Sequence, residues 1–347
     1  MKKTMLFPIL LLFILFPAFG QKKYDVKTIA FYNLENLFDI ENDTLINDEA
    51  SPIMDIKENR AEVYQKKLDN MAKVIAEIGF EDTKNSPIIL GVAEVENRKV
   101  LEDLTQTDIL KDKKYEIVHY DSKDLRGIDV GFLYQPAFFT PTHHEVFELK
   151  LFEEGGMRIY TRDILLVSGY LDGELMHFIV NHWPSRRGGE KKSRWSREKA
   201  AYLNTQIIEQ IKLSDPTPKV VIMGDLNDDP INSSLKKVLK TKAKKSDVLE
   251  GDIYNPMEDM FKRGQNTLAY RDNINLFDQI LISSPLLTGN KEFPSYKMYK
   301  VGIFNPTYLT TQTGKFKGYP YRSWGYNGFT NGYSDHYPVY MYLIKEL

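Results

Sequence analysis

The chain has 347 residues, with 46 Lys and Arg against 48 Asp and Glu, a formal net charge of −2, 42% hydrophobic and 27% charged residues. That balance excludes a disordered chain, leaves ample apolar material for a core, and shows no overall basic excess of the kind that marks many nucleic-acid binders. The absence of cysteine excludes a disulfide framework, thiol catalysis, thiolate metal sites and a lipidated cysteine behind an export signal.

The first twenty residues read as a secretory signal peptide. Lys2 and Lys3 precede an apolar run from Met5 to Phe16, and Ala18-Phe19-Gly20 supplies a small-x-small cleavage site. The run is short for a membrane span and no second one follows. The expectation is therefore a secreted or periplasmic protein with no stable membrane insertion after signal removal, its residues 21–347 forming one monomeric domain. Thr28 to Tyr32 reads as a strand, Asp39 to Asp55 as a solvated loop. Tyr64, Leu68, Met71, Ile75 and Ile78 keep helical spacing, with Gly79 as the stop. Ile88 to Ala93, Tyr115 to Tyr120, Ile128 to Tyr134, His144 to Leu151, Ile164 to Leu171 and Leu175 to His182 read as strands. Asp172-Gly173 makes a hairpin turn between the last two. A basic, glycine-bearing loop (Pro184 to Lys192) leads into a helix with Ala200, Leu203, Ile207 and Ile211 on one face. Val220 to Met223 is a buried strand, followed by a short lysine-rich helix around Leu235 to Leu239. Phe277 to Ile282 and Val339 to Leu343 close the pattern. Many strands with few helices predict an α+β fold, two stacked sheets with helices outside.

The informative residues lie where these strands end. Asn33, Glu94, His182, Asp225, Asn227 and His336 each sit at or beside a junction between an apolar strand and a loop. Asp225 and Asn227 are two apart, and fall on one side if the extended backbone continues. Taken singly, Asp-x-Asn-Asp-Asp-Pro is ordinary turn chemistry and Glu94 with Glu96 an ordinary charged strand exit. Together, Asn, Glu and Asp without cysteine suit a hard, oxygen-preferring cation such as Mg²⁺ or Mn²⁺, with Ca²⁺ a further candidate. Two histidines near carboxylates suit phosphoryl charge stabilisation and proton transfer near neutral pH.

Seven stretches in order carry a resemblance. They are Tyr32-Asn33-Leu34-Glu35-Asn36, Gly91-Val92-Ala93-Glu94-Val95-Glu96, Arg126-Gly127-Ile128-Asp129-Val130, Val180-Asn181-His182-Trp183, Gly224-Asp225-Leu226-Asn227, Phe277-Asp278-Gln279-Ile280 and Ser334-Asp335-His336-Tyr337-Pro338-Val339. From about Thr28 to Leu343 the chain resembles the endonuclease/exonuclease/phosphatase superfamily of metal-dependent phosphoesterases. The resemblance implies a deoxyribonuclease-I-like four-layer α/β/β/α sandwich of two mixed sheets. It implies Glu94 as principal metal carboxylate, with Asn33, Glu35 (where many relatives carry Asp) and Asp335 assisting. It further implies Asp225 as the group that activates water and Asn227 as the holder of a phosphoryl oxygen. His336, oriented by Asp278, and His182 would face the phosphate, and Arg126 is a candidate phosphate clamp.

The superfamily spans nucleases, sphingomyelinases and inositol-phosphate phosphatases, so the core chemistry leaves the substrate open. Arg186, Arg187, Lys191, Lys192, Arg194 and Arg197, with Trp195 among them, could track a nucleic-acid backbone or form the first turns of a solvated helix. Tyr319, Tyr321, Arg322, Trp324 and Tyr326 could form an aromatic wall or a packed loop. The first expectation is an exported nuclease. The alternatives are a phosphatase or sphingomyelinase-like enzyme acting on a small or lipid phosphate, and a catalytically silent binding protein on the same scaffold.

Overall fold

The fold is that of a computed structural model describing residues 22–290 and 294–347; the signal peptide expected at 1–20 lies outside the described residues. The main strands are β1 (Tyr24–Leu37), β2 (Ile89–Val95), β3 (Glu116–His119), β4 (Asp129–Tyr134), β5 (Phe139–Phe147), β6 (Ile164–Leu171), β7 (Glu174–His182), β8 (Val220–Asp225), β9 (Ile253–Tyr254), β10 (Asp278–Ser283), β11 (Lys297–Ile303) and β12 (Val339–Glu346). They form two six-stranded sheets, ordered β11-β12-β1-β2-β4-β3 and β9-β10-β8-β7-β6-β5. Each sheet is mixed, with one central parallel pair, β1 with β2 and β7 with β8.

Side-chain alternation builds the layers. Along β1, Ile29 and Phe31 enter a core shared with Val221 and Met223 of β8, Phe178 and Val180 of β7, and Ile280 and Ile282 of β10. The intervening Ala30 and Tyr32 pack outward with Leu68, Met71 and Ile75 of helix α1 (Arg60–Glu77), whose neighbour α2 (Arg98–Thr105) adds Leu101 and Leu104. On the other sheet Val220, Ile222 and Ile179 pack outward against Ala200, Ile207 and Ile211 of α3 (Glu190–Lys212). Helix, sheet, sheet and helix are thus held by three apolar cores, one between the sheets and one outside each.

Four local features depart from the sequence reading. β1 runs on past Tyr32 to Leu37, because a register irregularity after Asn33 absorbs Glu35 and Asn36 in left-handed conformations (φ 48 and 51). In Asp39 to Asp55 the residues Asp39, Asp48 and Ile53 are buried, so this is a packed loop. The strand expected at His144 to Leu151 begins earlier, at Phe139; Pro141 is tolerated because β5 is an edge strand with a bulge there. The lysine-rich helix is a single wide π-type turn, Ser234–Val238.

Candidate active site

The alternation that builds the inter-sheet core also aims the polar strand ends. Asn33 continues the inward parity of Ile29 and Phe31, Asp225 that of Val221 and Met223, His182 that of Phe178 and Val180, and Asp278 that of Ile280 and Ile282. All four emerge at one edge of the sandwich, where the apolar filling stops. The sheets meet there through Asn33, whose Nδ2 donates to Asp225 Oδ2 at 3.2 Å and to Glu94 Oε1 at 3.3 Å. Glu94 has the opposite parity, but a left-handed backbone (φ 58) turns it back, and its Oε2 accepts the Asn36 N–H at 3.0 Å. Strain of this kind in a non-glycine residue persists only where the surroundings dictate it. Gly224, before Asp225, is required for close approach: a Cβ there would lie 2.2 Å from the Asn181 carbonyl oxygen.

The extended backbone does not continue past Asp225. Asn227 is left-handed (φ 48), so the chain folds back and Asp225 Oδ1 accepts the Asn227 N–H at 2.9 Å. The Asn227 amide donates to the Trp183 carbonyl at 3.0 Å, leaving its second N–H available. His182 Nε2 lies 3.7 Å from Asp225 Oδ2 and 3.9 Å from Glu94 Oε1, while its Nδ1 is buried without a hydrogen-bond partner. His336 Nδ1 bonds Asp278 Oδ2 at 2.7 Å, and its Nε2 lies 3.9 Å from both Asp225 Oδ2 and Asp335 Oδ1.

Electrostatics separate the two histidines. Burial disfavours the charged form of each. For His182 nothing reverses it, and Arg162, Arg126 and His336 add repulsion, so the ring is held well below its ordinary range and is neutral. For His336 burial is overcome by the charge and hydrogen bond of Asp278, with Asp225 and Asp335 contributing, so the ring is held well above its range as an imidazolium. Burial, with Asp278 and Glu94, pushes the Asp225 carboxyl up to about 7, against His336 and the Asn227 N–H. One protonated donor, one neutral ring and one carboxyl poised near neutrality therefore share a small volume, which equips the edge for proton transfer at neutral pH.

Two sequence-nominated residues sit apart from this convergence. Glu35 is buried and its carboxylate turns away from Glu94, accepting from Arg322 Nε at 3.0 Å and from the Ser323 and Trp324 N–H groups at 2.6 and 3.4 Å. Arg126 is exposed on the rim, 3.6 Å from Asp124 Oδ1, and its charge reaches His182. Asp335 is half-exposed beside His336 and pairs with Arg322 Nη2 at 3.3 Å. Asn33 presents its amide nitrogen to the two carboxylates, while its oxygen accepts the Glu35 N–H at 2.9 Å.

The donor set fits a hard divalent cation. The oxygen donors are Glu94 and Asp225, which both approach His182, and Asp335, which lies beside His336; Asp278 Oδ1 is buried without a hydrogen-bond partner among the described residues. Ligand atoms of Asp225, Asp278 and His336 also lie within 4.8 Å of one another. The Nδ1 bond to Asp278 makes that trio a proton-handling chain, because a protonated imidazole has no free lone pair for a metal. A second trio, His119, Asp121 and Asp129, places different ring nitrogens toward its two carboxylates (3.8 and 3.6 Å), the geometry of a sandwiched imidazole.

Sequence reading missed several supporting residues. Arg162 is buried, donating to the Trp183 carbonyl at 2.7 Å and to Asp124 at 3.2 Å, and so ties the Arg126 turn to the end of β7. Buried Lys67 donates to the Leu34 and Glu35 carbonyls and to Ser323 Oγ at 2.8–2.9 Å. The signal for Lys67 was present: a lysine one turn from Tyr64 and Met71, inside the apolar stripe of α1. The basic stretch is largely engaged internally. Arg186 binds Asp228, Asp229 and Asn232, Arg197 binds Asp228 at 2.6 Å, and Arg194 binds Glu190.

Comparison with known proteins identifies the family and agrees with the fold. A model of the endonuclease/exonuclease/phosphatase family matches residues 28–345. No curated protein matches at a significant level. Among solved structures, a family protein from Bacteroides thetaiotaomicron aligns with TM-score 0.55 at 17% identity, covering 94% of this chain and all (100%) of that one. The B. thetaiotaomicron mannosyl-6-phosphatase aligns at 0.52 and 16%, covering 91% and 99%. D. rerio TDP2 complexed with a single-strand DNA product aligns at 0.51 and 14%, covering 92% and 98%. At these identities the structural likeness shows the shared fold alone. Among the described residues no helix is long and apolar enough to cross a membrane.

Proposed function

The chain belongs to the endonuclease/exonuclease/phosphatase family, phosphoester hydrolases that depend on a divalent metal, and on that premise we propose that it is an exported, Mg²⁺-dependent nuclease cleaving phosphodiesters by direct attack of water. The observation that carries the reading is the meeting of Asn33, Glu94, His182, Asp225 and His336, drawn from both sheets, at one edge. The Asp225 carboxylate takes the proton of the attacking water, held in place by the Asn227 N–H. The His336 imidazolium, fixed by Asp278, donates to a phosphoryl oxygen as charge builds, and the spare Asn227 amide hydrogen holds another. Glu94 and Asp335 would hold the cation, which when bound neutralises the phosphoryl oxygens. The signal-peptide pattern in the sequence of residues 1–20 supports export, and the likeness to a DNA-bound structure supports a nucleic-acid substrate.

The second reading, a phosphatase or other small-phosphate enzyme, is favoured by a specific observation: within Arg186 to Arg197 only Arg187, Lys191 and Lys192 have no side-chain partner among the described residues, a thin track for a polyanion. Digestion of plasmid and single-strand DNA with Mg²⁺ or EDTA, beside bis-p-nitrophenyl phosphate, separates the readings. Mg²⁺-dependent cleavage of DNA is expected. Diester turnover without DNA cleavage moves the assignment to a small phosphate, and metal-independent or absent turnover ends both.

A further inference from the structure

Outside the groups that handle the water and its proton, one cation is presented to the same edge by a built support. Arg322 lies in the loop before β12, with 53% of its side chain exposed. Its Nε and Nη2 both lie 3.0 Å from Glu35 Oε1, and Nη2 also donates to Asp335 Oδ2 at 3.3 Å. Two contacts to one buried carboxylate oxygen fix the guanidinium plane, and its Nη1 has no partner among the described residues. The Ser323 and Trp324 N–H groups clasp the same carboxylate, so the backbone carrying Arg322 is held as well.

A guanidinium facing two carboxylates would ordinarily be spent on them. Lys67 changes the balance: its buried ammonium lies beneath Glu35, bonding the carbonyls of Leu34 and Glu35 and Ser323 Oγ. Burial disfavours charge on Glu35 and Lys67 alike, so together they add little net charge and Arg322 is left to face Asp335. Asp335 is in turn flanked by His336, whose Nε2 lies 3.9 Å from its Oδ1. Two cationic donors thus bracket one half-exposed carboxylate, and Glu94 lies near enough to be felt at Arg322. Arg322 and His336 flank opposite oxygens of the same Asp335 carboxylate, which puts the guanidinium beside His336 on this edge.

We infer that Arg322 is a phosphate-binding residue of the active site, its guanidinium presented by Glu35 and Lys67 to a non-bridging oxygen of the substrate's phosphate. The inference rests on the phosphoesterase reading for its location, while the binding of phosphate is measurable without turnover. The ligand chemistry is a phosphate oxygen, whether of a terminal monoester or of a diester.

The test compares wild type with Arg322→Gln and Arg322→Lys. Calorimetry with Mg²⁺ measures the affinity for inorganic phosphate, and kcat/KM is measured for p-nitrophenyl phosphate and bis-p-nitrophenyl phosphate. Loss of a charge-assisted hydrogen bond from Nη1 predicts a phosphate affinity weakened about tenfold or more in Arg322→Gln. Arg322→Lys should recover part of it, because an ammonium restores charge but not the planar guanidinium that Glu35 holds in place. A drop in kcat/KM confined to the monoester assigns Arg322 to a terminal phosphate; an equal drop in both assigns it to oxygens common to the two. Unchanged phosphate affinity in Arg322→Gln, with an unchanged melting temperature, overturns the inference. If neither ester is turned over, the phosphoesterase reading fails, and the calorimetric comparison still decides the role of Arg322.

Discussion

Two histidines on one strand, five residues apart, show how differently this molecule treats the two ends of its sheets. At the start of β7, His177 has a partner on each nitrogen: Ser168 Oγ on Nδ1 at 2.8 Å and Asp215 Oδ2 on Nε2 at 3.3 Å. At its end, His182 has a buried Nδ1 without a partner and an Nε2 that only approaches Asp225 and Glu94. Both rings are buried, and burial lowers both pKa values. The difference lies in satisfaction. The His177 end closes its polar groups on one another, whereas the His182 end leaves valences open, carries left-handed residues at Glu94 and Asn227, and raises the Asp225 carboxyl to about 7. A buried group left open is costly unless something else completes it; under the proposed function, a cation and a phosphate complete this end.

The contrast breaks first under substitution. Asp225→Asn and His336→Gln are each expected to lower kcat on bis-p-nitrophenyl phosphate by about a thousandfold or more, the scale of lost general-base and charge-stabilising groups. His177→Gln should stay within roughly twofold. Equal losses at both ends of the strand would erase the distinction. Because Asp225 is buried in an environment that disfavours its charge, Asp225→Asn should also hold or raise the melting temperature, as removal of strained site residues often does.

A pH series sharpens the same comparison. With the Asp225 carboxyl pushed up to about 7 in the metal-free protein, and a bound cation drawing it down, kcat/KM should fall about tenfold per pH unit below a midpoint at or under about 7. Linkage fixes the sign for stability. The folded state holds a proton on Asp225 that the unfolded chain has released, so in EDTA this group's contribution to stability declines as pH rises from about 4 to about 7, by up to ~1.4 kcal/mol per unit. Thermal unfolding in EDTA across that range checks it. Asp225→Asn should flatten the slope, without abolishing it, because burial also pushes the Glu35 carboxyl up, to about 8.

A smaller effect concerns substrate. Replacing Arg187, Lys191 and Lys192 together by Ala should leave bis-p-nitrophenyl phosphate turnover unchanged and lower DNA turnover several-fold at low salt, with a shallower salt dependence. No change on DNA would mean that this rim does not touch a backbone.

The layers and the strand ends were legible because alternation and apolar runs are local, and Val220 to Met223 declares itself a buried strand whatever surrounds it. Ordered motifs then named the residues that meet at the edge. What sequence could not supply were conformations set by tertiary contacts. Continuing the β8 pattern would place Asn227 beside Asp225 on an extended backbone, whereas its left-handed turn brings its N–H back onto the Asp225 carboxylate. The irregularity after Asn33 likewise carries Glu35 away from Glu94 and toward Arg322 and Ser323, nearly three hundred positions later in the chain. The basic stretch read as free charge because its acceptors, Asp228 and Asp229, lie in a loop some forty residues away that reads as turn chemistry.

The closed end of β7 offers the mildest and most discriminating substitution. Ser168, His177 and Asp215 are the residue types of a nucleophilic triad, bonded in sequence. Ser168 and His177 are cross-strand partners facing the α3 side, where Ile164, Leu166 and Ile179 pack, and Asp215 follows that helix. The serine is 7% exposed, so its hydroxyl meets no substrate. A group that only closes a neighbour's valence contributes about 1 kcal/mol. Ser168→Ala should therefore lower the melting temperature by roughly 2 °C for a chain of this size, and leave kcat and KM within about twofold. A tenfold loss of turnover with the fold intact would mean that the ends of β7 are coupled, and that satisfaction at one end is a condition for the openness of the other.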